Sequence, residues 1–328
     1  MLKMKTILIS GGAGYLGTEL SQHLLKNHKV VIFDKFYFPW ILDNKKKIKN
    51  NHNLTFIKKD ISAVKITDFK NVDIVCDLNG ISNDPSSELN PAHTWKVNYN
   101  HRINFAKVAK KANVKRYIFN STCSIYGLSQ KKVFESGKKK PISTYAKANL
   151  KAETYIYKLK NNVFKVNSLR NSTLFGFSNS MRLDLVINIF VLNILKKKEI
   201  VIDGDGNQYR PFISVHDVCK IYEILVSKDN LPSFICNIGS FNSKIRNIAY
   251  KICKILNVNK KIIKFKKNSN DKRNYIVGLK NFKKYFGSNF KYSKFDFEIK
   301  KLKKNLKKYK IDFNKNTIRM YFYRDILK

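Results

Sequence analysis

Ser10-Gly11-Gly12-Ala13-Gly14-Tyr15-Leu16-Gly17 is the stretch that decides the fold. An apolar run, Thr6-Ile7-Leu8-Ile9, precedes it and reads as a buried parallel strand. Thr18 to Leu25 follows, with apolar positions at helical spacing. The glycines therefore sit at a strand-to-helix turn, and each has a physical task. Gly11 and Gly12 permit the tight turn, Gly14 lets backbone approach a pyrophosphate, and Gly17 lets the helix pack on the strand. Phosphates would rest on free amides at the helix N-terminus, where the dipole favours negative charge.

A second strand, Lys29-Val30-Val31-Ile32-Phe33, ends in Asp34. That carboxylate stands about 20 residues past the glycines, placed to accept hydrogen bonds from an adenosine ribose. It favours NAD over NADP, because it would repel a 2′-phosphate. Lys35 pulls the other way.

Strand and helix patterns then alternate. Leu54-Ile57, ending near Asp60-Ile61, is a third strand, and Val72-Leu78 a fourth that opens into Asn79-Gly80-Ile81-Ser82-Asn83. A long helix is expected over Thr94 to Ala112, a fifth strand over Arg116-Asn120, a helix over Tyr145-Leu159 and a sixth strand over Phe164-Leu169. Repeated βα units imply an α/β fold with a doubly wound parallel sheet. Ligands bind beyond the carboxyl ends of such strands. The second half is less regular. A helix is expected from Arg182 to Leu195, a turn at Gly204-Asn207, a strand over Ser233-Gly239 and an amphipathic helix over Phe295-Tyr309 with a solvated lysine face. We expect a dinucleotide-binding domain over 1–172, to which 212–240 returns, and a smaller C-terminal α/β substrate domain over 173–328.

The 328 residues can bury a large core. Lys+Arg number 65 against 23 Asp+Glu, a formal charge of +42, so nucleic-acid binding has to be weighed. The charge is spread and mostly lysine, with no arginine stripe or zinc-finger spacing, so we expect no specific nucleic-acid binding but a diffuse preference for anions. Cys76, Cys123, Cys219, Cys236 and Cys253 are odd in number and mostly in apolar runs. They read as reduced core thiols of a cytoplasmic protein. No CxxC pair and no metal-ligand spacing stands out. The chain starts almost directly in the first strand, leaving no room for a signal peptide, and Leu185-Leu195 is too short to span a bilayer.

The fifth strand runs into Ser121-Thr122-Cys123-Ser124-Ile125-Tyr126-Gly127, hydroxyls at a strand's carboxyl end that can hydrogen-bond a reacting alcohol or ketone. Tyr145 opens a helix and can act as general acid/base if its pKa falls from about 10 toward neutrality.

With Leu169-Arg170-Asn171, Gly204-Asp205-Gly206 and Arg210 to Val218, these motifs make the chain resemble an extended short-chain dehydrogenase/reductase, of the NAD-dependent nucleotide-sugar epimerase/dehydratase type. Met181-Asn188 and Asp271-Tyr275 resemble a surface-polysaccharide branch that includes GDP-heptose 4-oxidoreductases. The resemblance implies a Rossmann fold, NAD as cofactor, a nucleotide-sugar substrate and a homodimer formed through the Tyr145 helix. It implies Tyr145 and Thr122 as catalytic residues. Gly11, Gly14, Tyr15, Leu16 and Gly17 would hold the pyrophosphate side of NAD, Asp34 the ribose and Asp60-Ile61 the adenine edge. Leu78, Asn79, Gly80 and Asn98 would complete the cofactor site. Ser124, Asn188, Arg210 and Arg273 would meet the substrate.

The sequence departs from the pattern at Asn149, where the family has a lysine one turn after the tyrosine, holding the nicotinamide ribose and lowering the tyrosine pKa. Lys147 and Lys151 point to other helix faces. Asn149 can hydrogen-bond a ribose hydroxyl but supplies no charge. Tyr145 then needs another cation, or the oxidised cofactor ring, to tune it, or the enzyme is slow, works at higher pH, or is a silent binding homologue. A second departure is Cys123-Ser124, where 4,6-dehydratases carry Asp-Glu. It points to a 4-epimerase or a 4-dehydrogenase/reductase of polysaccharide biosynthesis.

Overall fold

The computed structural model describes residues 3–38, 51–267 and 273–327. Asp271 and Lys272 of the quoted Asp271-Tyr275 stretch lie outside them.

In chain order the first half runs β1 (Thr6–Ser10), α1 (Tyr15–Leu24), β2 (Lys29–Asp34), β3 (Leu54–Lys58), β4 (Ile74–Asp77), α2 (Asp84–Leu89), α3 (Pro91–Trp95), α4 (Arg102–Lys111), β5 (Arg116–Thr122), β6 (Leu128–Val133), α5 (Thr144–Lys158) and β7 (Lys165–Asn171). The second half runs β8 (Thr173–Phe175), α6 (Val186–Leu195), β9 (Ile200–Asp203), β10 (Tyr209–Ser214), α7 (Val215–Ser227), β11 (Phe234–Ile238), β12 (Phe241–Lys244), α8 (Ile245–Ile255), β13 (Ile263–Lys266), β14 (Asn274–Val277), α9 (Lys280–Phe286), α10 (Phe295–Lys308) and α11 (Arg319–Ile326).

Seven of these strands form a parallel sheet in the order β11-β7-β5-β4-β1-β2-β3. The expected doubly wound α/β fold is present, with the order reversing at β1, where such sheets open a crevice beyond the strand ends. Alternation along β1 explains its two cores. Leu8 joins Phe33, Val75, Phe105, Tyr117 and Phe119 on one face, and Ile7 and Ile9 join Ile32, Leu20 and Ile221 on the other. The late strand β11 pairs with β7 at the sheet edge. Smaller sheets, β12-β10-β8, β13-β9 and β14-β6, flank the cleft.

Two expected helices differ in detail. The one over Thr94–Ala112 is α3 and α4 joined by a π-helical segment, Lys96–His101. Hydrophobic spacing does not reveal such a slip in hydrogen bonding. The helix expected from Arg182 begins at Val186. Arg182 grips Asp184 instead, and Leu183 N donates to Thr317 O at 2.8 Å, so this segment crosses the molecule as irregular chain. Helix α10 buries Ile299, Leu302 and Leu306 and leaves Lys300, Lys304 and Lys307 exposed, as its period predicts. All five cysteines are buried and unbridged. No helix among the described residues is long and apolar enough to cross a membrane.

Candidate active site

The glycine turn is built as the sequence implies. Gly11 has φ +72°, which a side chain would resist, and its N–H donates to Phe33 O at 2.9 Å. A Cβ on Gly17 would lie 2.4 Å from Gly11 O, so α1 packs against the turn with no room to spare. Helix α1 starts with no side-chain cap on Gly14, leaving first-turn amides available. The Asp34 carboxylate accepts from Ala13 N at 3.0 Å and Phe36 N at 2.8 Å, fixing turn and strand end together. Lys35 Nζ pairs with Asp60 Oδ2 at 2.8 Å.

One cavity of about 1420 Å³ runs from this turn across the strand ends. Gly11, Gly14, Tyr15, Leu16, Gly17, Asp34, Asp60, Ile61, Leu78, Asn79 and Gly80 line it around the glycine turn. Thr122, Ser124 and Tyr145 line it beside β5, with Arg182, Arg210 and Arg273 across from them. A dinucleotide fits these residues. Ser121 Oγ and Asn171 Oδ1, both buried in the cavity wall, have no hydrogen-bond partner among the described residues.

Ser143 caps α5 by accepting from Ala146 N at 3.2 Å, and Tyr145 N donates to Ser87 Oγ at 3.1 Å, which aims the phenol into the cavity. Burial pushes the Tyr145 pKa above its ordinary value. A hydrogen bond with Thr122 pulls it down, Asp84 pushes it up, and the charges of Arg102 and Arg182 pull it down. Thr122 itself accepts from Ser124 N at 3.1 Å. Cys123 is buried, donates to Arg170 O at 3.0 Å, and its thiol is pushed up to about 12 by burial, so it packs rather than transfers protons. Arg170 is also internal: it pairs with Glu153 at 2.7 Å and donates to Tyr126 Oη, locking α5 to β7.

Three expected contacts stand behind the wall rather than on it. Asn98, fully buried, holds Ile81 by two bonds of 2.8 and 2.9 Å and so shapes the loop after β4. Asn188 is also fully buried, its amide bonded to Gly176 N, Arg182 O and Tyr15 Oη, a joint of the interior behind the cavity wall. Asn149 accepts from Arg102, donates to Tyr145 O and is 2% exposed. Lys147 and Lys151 are exposed on the outer face.

Arg210 lies 5.6 Å over the Tyr275 ring and donates to the backbone carbonyls of Tyr209 and Arg273. Arg273 pairs with Asp84, which also accepts from Ser143. Two cavity arginines were not anticipated. Arg182 pairs bidentately with Asp184 at 3.0 and 3.1 Å and reaches Ser82 Oγ at 3.0 Å. Arg319 lies 3.4 Å over the Phe38 ring. For Arg182 the signal was present as an Arg-x-Asp just before an apolar run. For Arg319, in the C-terminal helix, nothing local indicated it.

The NAD-dependent epimerase/dehydratase family matches residues 7–239. The chain belongs to the NAD-dependent epimerase/dehydratase family. It is an enzyme of that family, and NAD is its cofactor. Among relatives, a putative UDP-glucose 4-epimerase of Methanocaldococcus jannaschii is 30% identical over 257 residues, 76% of this chain and 81% of the relative. An uncharacterized UDP-glucose epimerase, YtcB, of Bacillus subtilis is 29% identical over 243 residues, 71% and 76% of the two chains. The solved UDP-N-acetylglucosamine 4-epimerase of Methanobrevibacter ruminantium, in complex with UDP-N-acetylmuramic acid, shares the family fold with a TM-score of 0.82 at 24% identity, over 92% of this chain and 98% of that one.

Proposed function

We propose that the chain is an NAD-dependent nucleotide-sugar oxidoreductase acting at the sugar C4, as a 4-epimerase or a 4-dehydrogenase/reductase. The observation that carries this reading is the single cavity joining the glycine turn, the Tyr145–Thr122 pair and the arginines. NAD, when bound, supplies the hydride acceptor and donor. Tyr145 takes the proton of the sugar hydroxyl, and Thr122 hydrogen-bonds the same oxygen. Arg210 and Arg273 hold the diphosphate, for which a guanidinium fork is suited. Asp34, with Lys35 tied to Asp60, favours NAD.

Elimination of water needs a free acid and base beside Thr122. Cys123 is buried, Glu88 is bonded to Thr144, and Asp84 is bonded to Ser143 and Arg273. That arrangement supports redox chemistry without dehydration. The likeness of Met181-Asn188 to the surface-polysaccharide branch supports a role in making such polymers.

The test is incubation with GDP-, UDP-, dTDP- and CDP-sugars, followed by NADH absorbance and NMR of the sugar. Conversion of a sugar at C4 is expected. No turnover across the panel sinks the reading; nucleotide retained without turnover favours the silent binding homologue that Asn149 suggests.

A further inference from the structure

The missing lysine has a counterpart on another helix. We propose that Arg102, from α4, replaces it: the guanidinium fixes Asn149 and sets a permanent positive charge behind Tyr145. The proposal rests on the reading of Tyr145 as the proton-transfer group.

Arg102 is only 2% exposed, and its donors are placed. Nε bonds Asp77 Oδ2 at 2.9 Å, and Nη2 bonds the carbonyls of Asp77 and Asn120 at 3.0 and 3.1 Å. The remaining arm, Nη1, bonds Asn149 Oδ1 at 2.8 Å. The guanidinium stacks 3.9 Å over Phe119. Asp77 in turn accepts from Ser10 and Tyr117. The ends of β1, β4 and β5 and the Tyr145 helix thus meet at one cation. Arginine suits the place, because it stays charged when buried and its fork serves several acceptors.

The bond also fixes the Asn149 amide. With Oδ1 on Arg102, Nδ2 points to Tyr145 O at 2.8 Å. A lysine at 149 would bring a second buried cation against the guanidinium, which low dielectric makes costly. An arginine at 102 and an asparagine at 149 are therefore alternatives to a lysine at 149. The π-helical segment Lys96–His101 ends directly before Arg102, and such segments shift the face that follows them. Here Arg102 falls on the buried side of α4 with Phe105, Ala106 and Ala109.

The charged groups facing Tyr145 are Asp84 from α2, Arg182 from the segment before α6, and Arg102 from α4. Glu88 is bonded to the neighbouring Thr144. Arg102 acts from behind the wall, through Asn149 and through its field, and is a positioning residue.

The experiment is titration of the Tyr145 phenol in cofactor-free protein by NMR of 13Cζ-labelled tyrosine, assigned with Tyr145→Phe. It is run with NAD affinity by calorimetry and with melting temperature. Arg102→Gln should raise the phenol midpoint by about one pH unit or more, the size of a nearby opposite charge. Asn149→Lys alone should lower the melting temperature, and Arg102→Gln with Asn149→Lys should recover most of that loss and the wild-type midpoint and NAD affinity. An unchanged midpoint in Arg102→Gln overturns the proposal. If Arg102→Gln does not fold, the melting comparison of Asn149→Lys with the double variant decides: no recovery, or no loss in Asn149→Lys, overturns it. None of these readouts needs turnover. An inactive protein with an Arg102-dependent phenol would refute the reading of function and leave this one standing.

Discussion

Lys35 Nζ lies 2.8 Å from Asp60 Oδ2, beside Asp34 in the wall of the cavity. The lysine next to Asp34 is thereby occupied. Both partners are more than one-third exposed, so the pair adds little to stability, within about 1 kcal/mol. Its weight lies in selectivity. Asp60→Asn should free Lys35 to meet a 2′-phosphate and tighten NADP binding about fivefold, the scale of such a pair, with NAD affinity equal or weaker. Calorimetry with both cofactors decides; unchanged NADP affinity would show that Lys35 does not reach the 2′ position.

The Tyr145 phenol sits above its ordinary pKa in the cofactor-free protein, through burial first. In the proposed reaction the base is the tyrosinate, whose fraction grows about tenfold per pH unit below that pKa. We therefore expect kcat/KM to climb through neutral pH and still to be rising at alkaline pH. Tyr145→Phe should lower kcat by roughly 10²–10⁴-fold and abolish the slope. A flat profile above neutrality would remove the phenol as the base.

What the sequence disclosed was local. Gly11, Gly14, Gly17, Asp34, Thr122 and Tyr145 line the cavity, and their positions are readable because each follows from neighbours a few residues away. What it hid was joined across the fold. Arg102 and Asn149 are 47 positions apart, and only the sheet brings α4 beside α5. The clue was a charge on the apolar stripe of α4, shared with Ile103, Phe105, Ala106 and Ala109. Asn188 shows the reverse: a motif position that matches the family, yet its amide is consumed inside the fold. Arg182 was absorbed into a helix that starts only at Val186, because a salt bridge holds it out.

Gly17 offers a test of the turn itself. A Cβ there would stand 2.4 Å from Gly11 O and 2.6 Å from Gly12 Cα, both backbone atoms that cannot rotate away. Gly17→Ala should cost about 1–3 kcal/mol of stability, as overpacking does, and weaken NAD more than it weakens a nucleotide sugar. Thermal melting and calorimetry report the two. Equal stability and NAD affinity in G17A would mean that α1 has slack here.

The resemblance implies a dimer through α5, and that helix presents Lys147, Lys151 and Lys158 to solvent beside Lys107 and Lys111 of α4. A two-fold contact on this face sets lysines against lysines. Screening falls within about 10 Å at 0.1 M salt. Association through this face should therefore strengthen as salt rises, read by sedimentation at 20 and 500 mM NaCl. Dissociation on adding salt would place any dimer contact elsewhere.

Arg319 carries the last expectation. Its guanidinium is 3% exposed and lines the same cavity as Gly14 and Asp34. It donates to Ser180 Oγ at 2.9 Å and to carbonyls of Ser180 and Asn316, and among the described residues no carboxylate lies within 4.0 Å of it. Burial, then the like charge of Arg182, push its pKa down to about 9. Buried cations in one cavity, Arg182, Arg210 and Arg319 here, are a cost that a phosphate-rich ligand would relieve. Arg319→Met keeps the apolar stem over Phe38 and removes the charge. Lost hydrogen bonds and relieved desolvation offset one another, so the free protein should melt within a few degrees of wild type. Charge-assisted bonds are worth about 1.5–3 kcal/mol, so NAD should bind roughly tenfold or more weakly. If R319M melts far lower but binds NAD as before, Arg319 is a strut of the C-terminal helix and not a contact of the cofactor.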